Sequence, residues 1–122
     1  MQLVLATRNA NKLEEIRDVL GFDSHTVKSS FDYPQIPDVV EDKDTLEGNA
    51  IKKATTIATA TGCWALADDS GLEVDALEGA PGVYSARYAG EHCSYVDNCS
   101  KLLFEMKGKS TRRARFRTVL AL

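Results

Sequence analysis

Two adjacent carboxylates, Asp68 and Asp69, stand at the end of the apolar run Trp64-Ala65-Leu66-Ala67 and are followed by Ser70 and Gly71. The apolar run reads as a short buried strand, and Asp-Asp-Ser-Gly reads as turn chemistry. Neighbouring side chains on a strand point to opposite faces, so at most one of the two aspartates faces a given pocket. Carboxylates beside a hydroxyl and a glycine suit a hard cation such as Mg2+. That ion takes one or two carboxylates, several waters and substrate phosphates in preference to a closed protein cage. The same residues also suit an Asx turn that only reverses the chain, and this stretch alone leaves both readings open.

Two basic positions could serve an anion that accompanies such a cation. Lys12 closes the stretch Thr7-Arg8-Asn9-Ala10-Asn11-Lys12, which lies between an apolar run and a helical pattern. A strand–loop–helix opening presents backbone N–H groups that suit a phosphate, and Lys12 adds positive charge there. The stretch is no P-loop, because the glycines and the GK[ST] triplet are missing. Plain helix capping explains the same polar residues. Further on, Asn49 and Lys53 are four apart and share a helix face, although Lys52 and Lys53 also read as solvated helix charges. Arg87, between Tyr84 and Tyr88, could pair with a carboxylate, bind phosphate or stack on a ring.

The elements that must position these groups follow from periodicity and punctuation. Gln2 to Ala6 reads as a first buried strand. Leu13, Ile16, Val19 and Leu20 recur at helical spacing, with Asn9 or Thr7 as N-cap, Glu14 and Glu15 in the first turns and Gly21 closing the helix. Residues 22–44 read as irregular, with a short strand at His25-Thr26-Val27, breaks at Pro34 and Pro37, and the acidic lead-in Val39-Val40-Glu41-Asp42-Lys43-Asp44. Asp44 or Thr45 caps a second helix that runs to about Thr61 and ends at Gly62. Its seam of Ala50, Ala54, Ile57, Ala58 and Thr61 lets it lie close against a sheet. Gly48 inside it costs up to about 1 kcal/mol relative to Ala, for no reason legible in the sequence. Leu72 to Leu77 alternates like a strand with one wet face, and Glu78 to Val83 reads as a tight loop. Val96, Cys99, Leu102, Leu103 and Met106 mark a third amphipathic helix from about Tyr95 to Lys107, ended by Gly108. A strand follows at Thr118 to Leu122.

Composition bounds the rest. With 122 residues, the chain is expected to form one domain over residues 1–122. A net charge of -3 gives no overall push towards nucleic acid or membrane, and no apolar run approaches the roughly 20 residues of a membrane span. The first residues carry no basic leader, and Cys63, Cys93 and Cys99 show neither an even count nor CxxC spacing. Both point to reduced thiols in the cytoplasm. His25 and His92 read as surface residues. The basic stretch Lys107 to Arg117 fits a strand with one wet face better than a nucleic-acid stripe in a chain of acidic balance.

Taken together, four segments in this order resemble the inosine/xanthosine triphosphate pyrophosphatase family. They are Thr7 to Lys12, Thr45-Leu46-Glu47-Gly48-Asn49-Ala50-Ile51-Lys52-Lys53-Ala54, Ala67-Asp68-Asp69-Ser70-Gly71-Leu72, and Gly79-Ala80-Pro81-Gly82-Val83-Tyr84-Ser85-Ala86-Arg87-Tyr88-Ala89-Gly90. Arg113-Ala114-Arg115-Phe116 fits the same family. The resemblance implies an α/β fold, a mixed twisted sheet flanked by helices, incomplete at its C-terminal side. It implies Mg2+-dependent hydrolysis of non-standard purine nucleoside triphosphates (ITP, dITP, XTP) between the α and β phosphates. Glu41 and Asp69 would hold Mg2+, and Asp69 would orient or deprotonate the attacking water, with Asp68 in support. Lys12 and Lys53 would neutralise phosphate oxygens, while Thr7, Asn9, Asn11, Asn49 and Ser70 would add substrate contacts. Arg87 would be structural or lie in a dimer interface.

This sequence departs from the family's pattern at Leu46, where phenylalanine is usual, and at Gly48, where a larger residue is usual. Family members also continue into segments that hold the purine base, which this sequence does not include. The backbone edge of residues 115–122 invites pairing, so a homodimer is expected. A phosphate-binding relic that mainly oligomerises is the alternative reading.

Overall fold

The computed structural model describes residues 2–21 and 27–122. The chain divides into two compact units, residues Met1–Asp68 with Val119–Leu122, and residues Asp69–Thr118.

In the first unit, β1 (Leu3–Leu5) pairs in parallel with β2 (Val27–Ser29) on one side and with the start of β3 (Trp64–Val74) on the other. Strand alternation sorts their side chains onto two faces. Leu5 and Val27 pack with Leu13 and Ile16 of helix α1 (Ala10–Leu20). Val4, Ala6, Ala65 and Ala67 pack instead with Ala54 and Ile57 of helix α2 (Leu46–Thr61). The alanine seam thus does what small side chains allow and brings the α2 backbone close to the strands. Both helices begin and end on the expected residues. Asn9 caps α1 and Thr45 caps α2, and Gly21 and Gly62 close them in the left-handed conformation. The first turn of α1 holds no acid, because the helix starts at Ala10 and leaves Glu14 and Glu15 beyond it. Of the expected strand at residues 25–27, His25 and Thr26 lie outside the described residues, and Val27 opens β2.

Gly48 has a steric reason. A Cβ there would stand 2.8 Å from the Lys43 Cβ and 3.1 Å from the Thr45 Oγ1, so only glycine lets the lead-in to α2 lie against the helix.

The expected turn at Asp68 to Gly71 is not formed. β3 is one continuous strand of 11 residues through Asp68, Asp69, Ser70 and Gly71, and its first residue, Trp64, is exposed where a buried position was expected. Tertiary pairing overrides local turn preference here, as strand context commonly does.

The second unit contains the latter part of β3, which pairs antiparallel with β4 (Pro81–Gly82). Parallel and antiparallel partners of β3 make the sheet mixed. β5 (Ala114–Ala121), which also pairs with β3, runs from the end of the arginine-rich stretch, read as a strand with one wet face, into the strand expected from Thr118. Helix α3 (Tyr95–Glu105) opens on a capping box between Ser94 and Asp97. The Arg87 guanidinium lies 5.1 Å from the Tyr84 ring centroid, which realises the stacking option. Cys63, Cys93 and Cys99 are free thiols. No helix among the described residues is long and apolar enough to cross a membrane.

Candidate functional site

The β1–α1 connection, the 36–41 stretch, α2 and Asp68 of β3 surround a polar cleft in the first unit, with a volume of about 380 Å³. Its lining includes Thr7, Arg8, Asn9, Lys12, Asp38, Glu41, Lys53 and Asp68. Each is placed by a local cause. The Asn9 side chain accepts the N–H groups of Asn11 and Lys12 at 3.0 and 3.2 Å, and the Thr7 hydroxyl accepts the Asn9 N–H at 3.1 Å. These bonds fix the first turn of α1 and set Lys12 facing the strand ends. Buried Asn49 accepts the Lys43 N–H at 2.9 Å, and Lys52 donates to the Val40 carbonyl at 2.7 Å. The acidic lead-in is thereby tied to α2, which holds Glu41 beside Lys53.

Three ion pairs cross or rim the cleft. Lys12 Nζ meets Asp68 Oδ2 at 2.6 Å, Lys53 Nζ meets Glu41 Oε1 at 2.8 Å, and Arg8 Nη1 meets Asp38 Oδ1 at 2.8 Å. Lys53 also donates to the Asp68 backbone carbonyl, which joins α2 to β3. The formal charges of these six groups cancel. An ammonium carries three donors and a guanidinium five, so each cation keeps N–H capacity beyond the bonds named here. A ligand bearing several anionic oxygens would find three cations converging on one space.

Of the residues expected at a site, Thr7, Asn9, Lys12, Glu41 and Lys53 line this cleft. Asn11 is exposed, and its backbone N–H goes to the cap. Asn49 is fully buried behind the wall, its carbonyl oxygen holding Lys43 and its amide nitrogen without a partner among the described residues. Asp68 reaches into the cleft on the side of β3 shared with Leu66. Strand alternation puts Asp69, also buried, on the side shared with Ala67. Asp69 and Ser70 belong to the second unit, where the Ser70 hydroxyl is 2.8 Å from the Thr118 hydroxyl. Sequence reasoning missed Arg8 and Asp38. Arg8 stands inside a recognised motif, but the residue it pairs with lies 30 positions away, and no local pattern announces that.

The donor set is oxygen-rich and open. Among the described residues no three His, Cys, Asp or Glu side chains gather as a metal cage. That excludes a closed thiolate or imidazole site there. It is compatible with a hard divalent ion that relies on few carboxylates and on ligand phosphates. A second hollow of about 430 Å³, lined by Ile51, Ala54, Thr55, Ala58 and Trp64 among others, is mainly apolar, and none of its lining side chains among the described residues is charged.

An α/β fold with a mixed sheet, and a cleft that sets lysines from two helices against carboxylates, define the class to which the chain is compared. It matches the Ham1 family over residues 3–122 and belongs to that family. It is 52% identical to a dITP/XTP pyrophosphatase of Geobacter sulfurreducens, a match covering 99% of this chain and 62% of the relative. Its fold is similar to that of a HAM1 protein from Coxiella burnetii, with a TM-score of 0.91 and 38% identity over 99% of this chain and 62% of that one. The Staphylococcus aureus Ham1 protein gives a TM-score of 0.86 and 39% identity over 98% of this chain and 62% of that one. The chain thus spans about three fifths of the length of the curated relatives it matches.

Proposed function

We propose that this chain supplies the phosphate- and metal-binding part of a nucleoside triphosphate pyrophosphatase. Its substrates would be ITP, dITP and XTP, and its products the monophosphate and pyrophosphate. The observation that carries this reading is the convergence of Arg8, Lys12 and Lys53 on one cleft whose oxygen donors suit a hard cation. The activity named for the Geobacter sulfurreducens relative supports it.

Phosphoryl transfer needs positioning and charge neutralisation more than covalent catalysis. Lys12 and Lys53 neutralise triphosphate oxygens, Thr7 and Asn9 orient them by hydrogen bonds, and exposed Asn11, outside the cleft lining, is proposed as a further substrate contact. Asn49 acts by holding the lead-in against α2. Glu41 is the carboxylate proposed for Mg2+ in the cleft. Asp69 is proposed as a further Mg2+ ligand and as the group that orients or deprotonates the attacking water, with Ser70 as a substrate contact. When bound, Mg2+ would supply charge neutralisation at the phosphates. The protein is proposed to act in the cytoplasm as a homodimer. Apolar side chains exposed on α3, among them Tyr95, Val96, Leu103 and Phe104, support self-association.

The test is pyrophosphate release from ITP, dITP, XTP and ATP, with and without Mg2+, at several protein concentrations. Release from the inosine and xanthosine nucleotides is expected, falling about 10²–10³-fold in Lys53→Met, the scale seen when one transition-state donor is removed, and about 10²–10⁴-fold in Asp69→Asn, the scale of a lost general base. Absence of pyrophosphate from every triphosphate with every divalent metal would overturn the reading.

A further inference from the structure

The Arg8 guanidinium is held at two nitrogens by two different kinds of acceptor. Nη2 donates to the neutral Ile36 carbonyl at 2.5 Å, and Nη1 pairs with the Asp38 carboxylate at 2.8 Å. Both Arg8 and Asp38 line the polar cleft. The carbonyl positions the arginine and leaves its charge intact, whereas the carboxylate cancels that charge. The three carboxylates of the cleft differ in how freely they can leave their partners. The Asp38 side chain is 80% exposed, against 35% for Glu41 and 10% for Asp68. An exposed carboxylate is rehydrated when it swings away, so releasing Asp38 costs least. Arg8 would then remain anchored through Ile36, offering a planar fork that matches phosphate oxygens.

We propose that Asp38 is an internal counter-anion that competes with an incoming polyphosphate for Arg8 and so sets the affinity of the cleft. The proposal rests on the polyanion-binding reading above and adds a residue whose carboxylate opposes binding. It separates cleanly from the bland role of the pair, a latch that merely holds the 36–39 wall in place. If the pair is a latch, removing either partner loosens the wall and weakens binding. If Asp38 competes, the two removals have opposite signs.

The experiment is calorimetric titration with inorganic pyrophosphate, in EDTA and again in Mg2+, on the wild-type chain, Asp38→Asn, Arg8→Ala, Arg8→Lys and the double variant of Asp38→Asn with Arg8→Ala. Thermal unfolding without ligand reports that each variant is folded. In EDTA, Asp38→Asn is expected to tighten pyrophosphate binding about fivefold, the upper range for an exposed ion pair. Arg8→Ala is expected to weaken it about tenfold, with Arg8→Lys between. In the double variant the gain from Asp38→Asn disappears. Weaker or unchanged binding in folded Asp38→Asn overturns the proposal, as does a gain that survives without Arg8. Lys53→Met in the same titration tests the underlying reading separately. Loss of binding there beside an unresponsive Asp38→Asn overturns this inference alone, and pyrophosphate that binds no form of the chain overturns both.

Discussion

Helix α2 starts at Thr45, whose hydroxyl accepts the Gly48 N–H at 3.0 Å, and helix α3 starts at Ser94, whose hydroxyl accepts the Asp97 N–H at 3.1 Å. Both carry apolar residues at helical spacing. Their middles differ. In α2, Leu46, Asn49, Ala50, Ala54 and Ile57 are buried, and the helix is held by what it packs against. In α3 no residue is buried, and Tyr95, Val96, Leu103 and Phe104 face outwards. The cap and bonds such as Lys101 Nζ to the Tyr88 carbonyl at 2.8 Å and Asn98 to the Ala89 N–H at 2.8 Å hold it instead. Periodicity therefore reports which residues share a face, and something outside the helix decides whether that face is covered.

The sharpest way to break this contrast is to truncate both helices. Ile57→Ala, at a site only 4% exposed, is expected to cost about 2–5 kcal/mol. Leu103→Ala, at 71% exposure, should stay within about 0.5 kcal/mol. Urea unfolding of the two variants measures both, and equal losses would erase the distinction.

Next in size is Gly48→Ala. Alanine gains up to about 1 kcal/mol of helix propensity, but its methyl would stand 2.8 Å from the Lys43 Cβ. Overpacking typically costs about 1–3 kcal/mol, so a net loss is expected, with a displaced Lys43 amide resonance. A stabilised variant would show that the close approach does not govern this position.

The smallest effect concerns the α3 cap. Ser94→Ala is expected to cost about 1 kcal/mol. The Ser94 N–H bonded to the Asp97 carboxylate, with help from the Ser94 side chain, holds the Asp97 pKa below its ordinary value of 3.8. A carboxylate with a lowered folded pKa stabilises above its unfolded value, and that contribution is lost as pH falls through the folded one. Helical Cα chemical shifts at the start of α3 should thus decline only below about pH 3.8, and Asp97→Asn should flatten that decline. A transition above that range would mean the cap is not what holds the end.

Much of the first unit was legible in the sequence because its signals are local. Asn9, Gly21, Thr45 and Gly62 act on backbone groups within a turn of themselves, so residue type alone marks the helix ends. Asp68 to Gly71 misled for the complementary reason. Their local preference is for a turn, and pairing with distant residues extended them into β3. Gly48 was unreadable because its constraint is a close contact with Lys43, a fact of three-dimensional approach. Among the residues lining the cleft, Lys12 and Lys53 stand in motifs that single them out, whereas Arg8 and Asp38 do not stand out as a pair, since an ion pair spanning 30 residues has no period.

The interlock around Gly48 has a consequence for how this cleft can be altered. Lys43 is fastened to Asn49 and pressed against Gly48, so the number of residues between Glu41 and α2 admits no slack. An insertion there would carry Glu41 away from Lys53. The wall is fixed at Ile36 by core packing and by Arg8, and at Val40 by Lys52, so loop-length variation meant to admit bulkier ligands belongs at residues 37–39 between them.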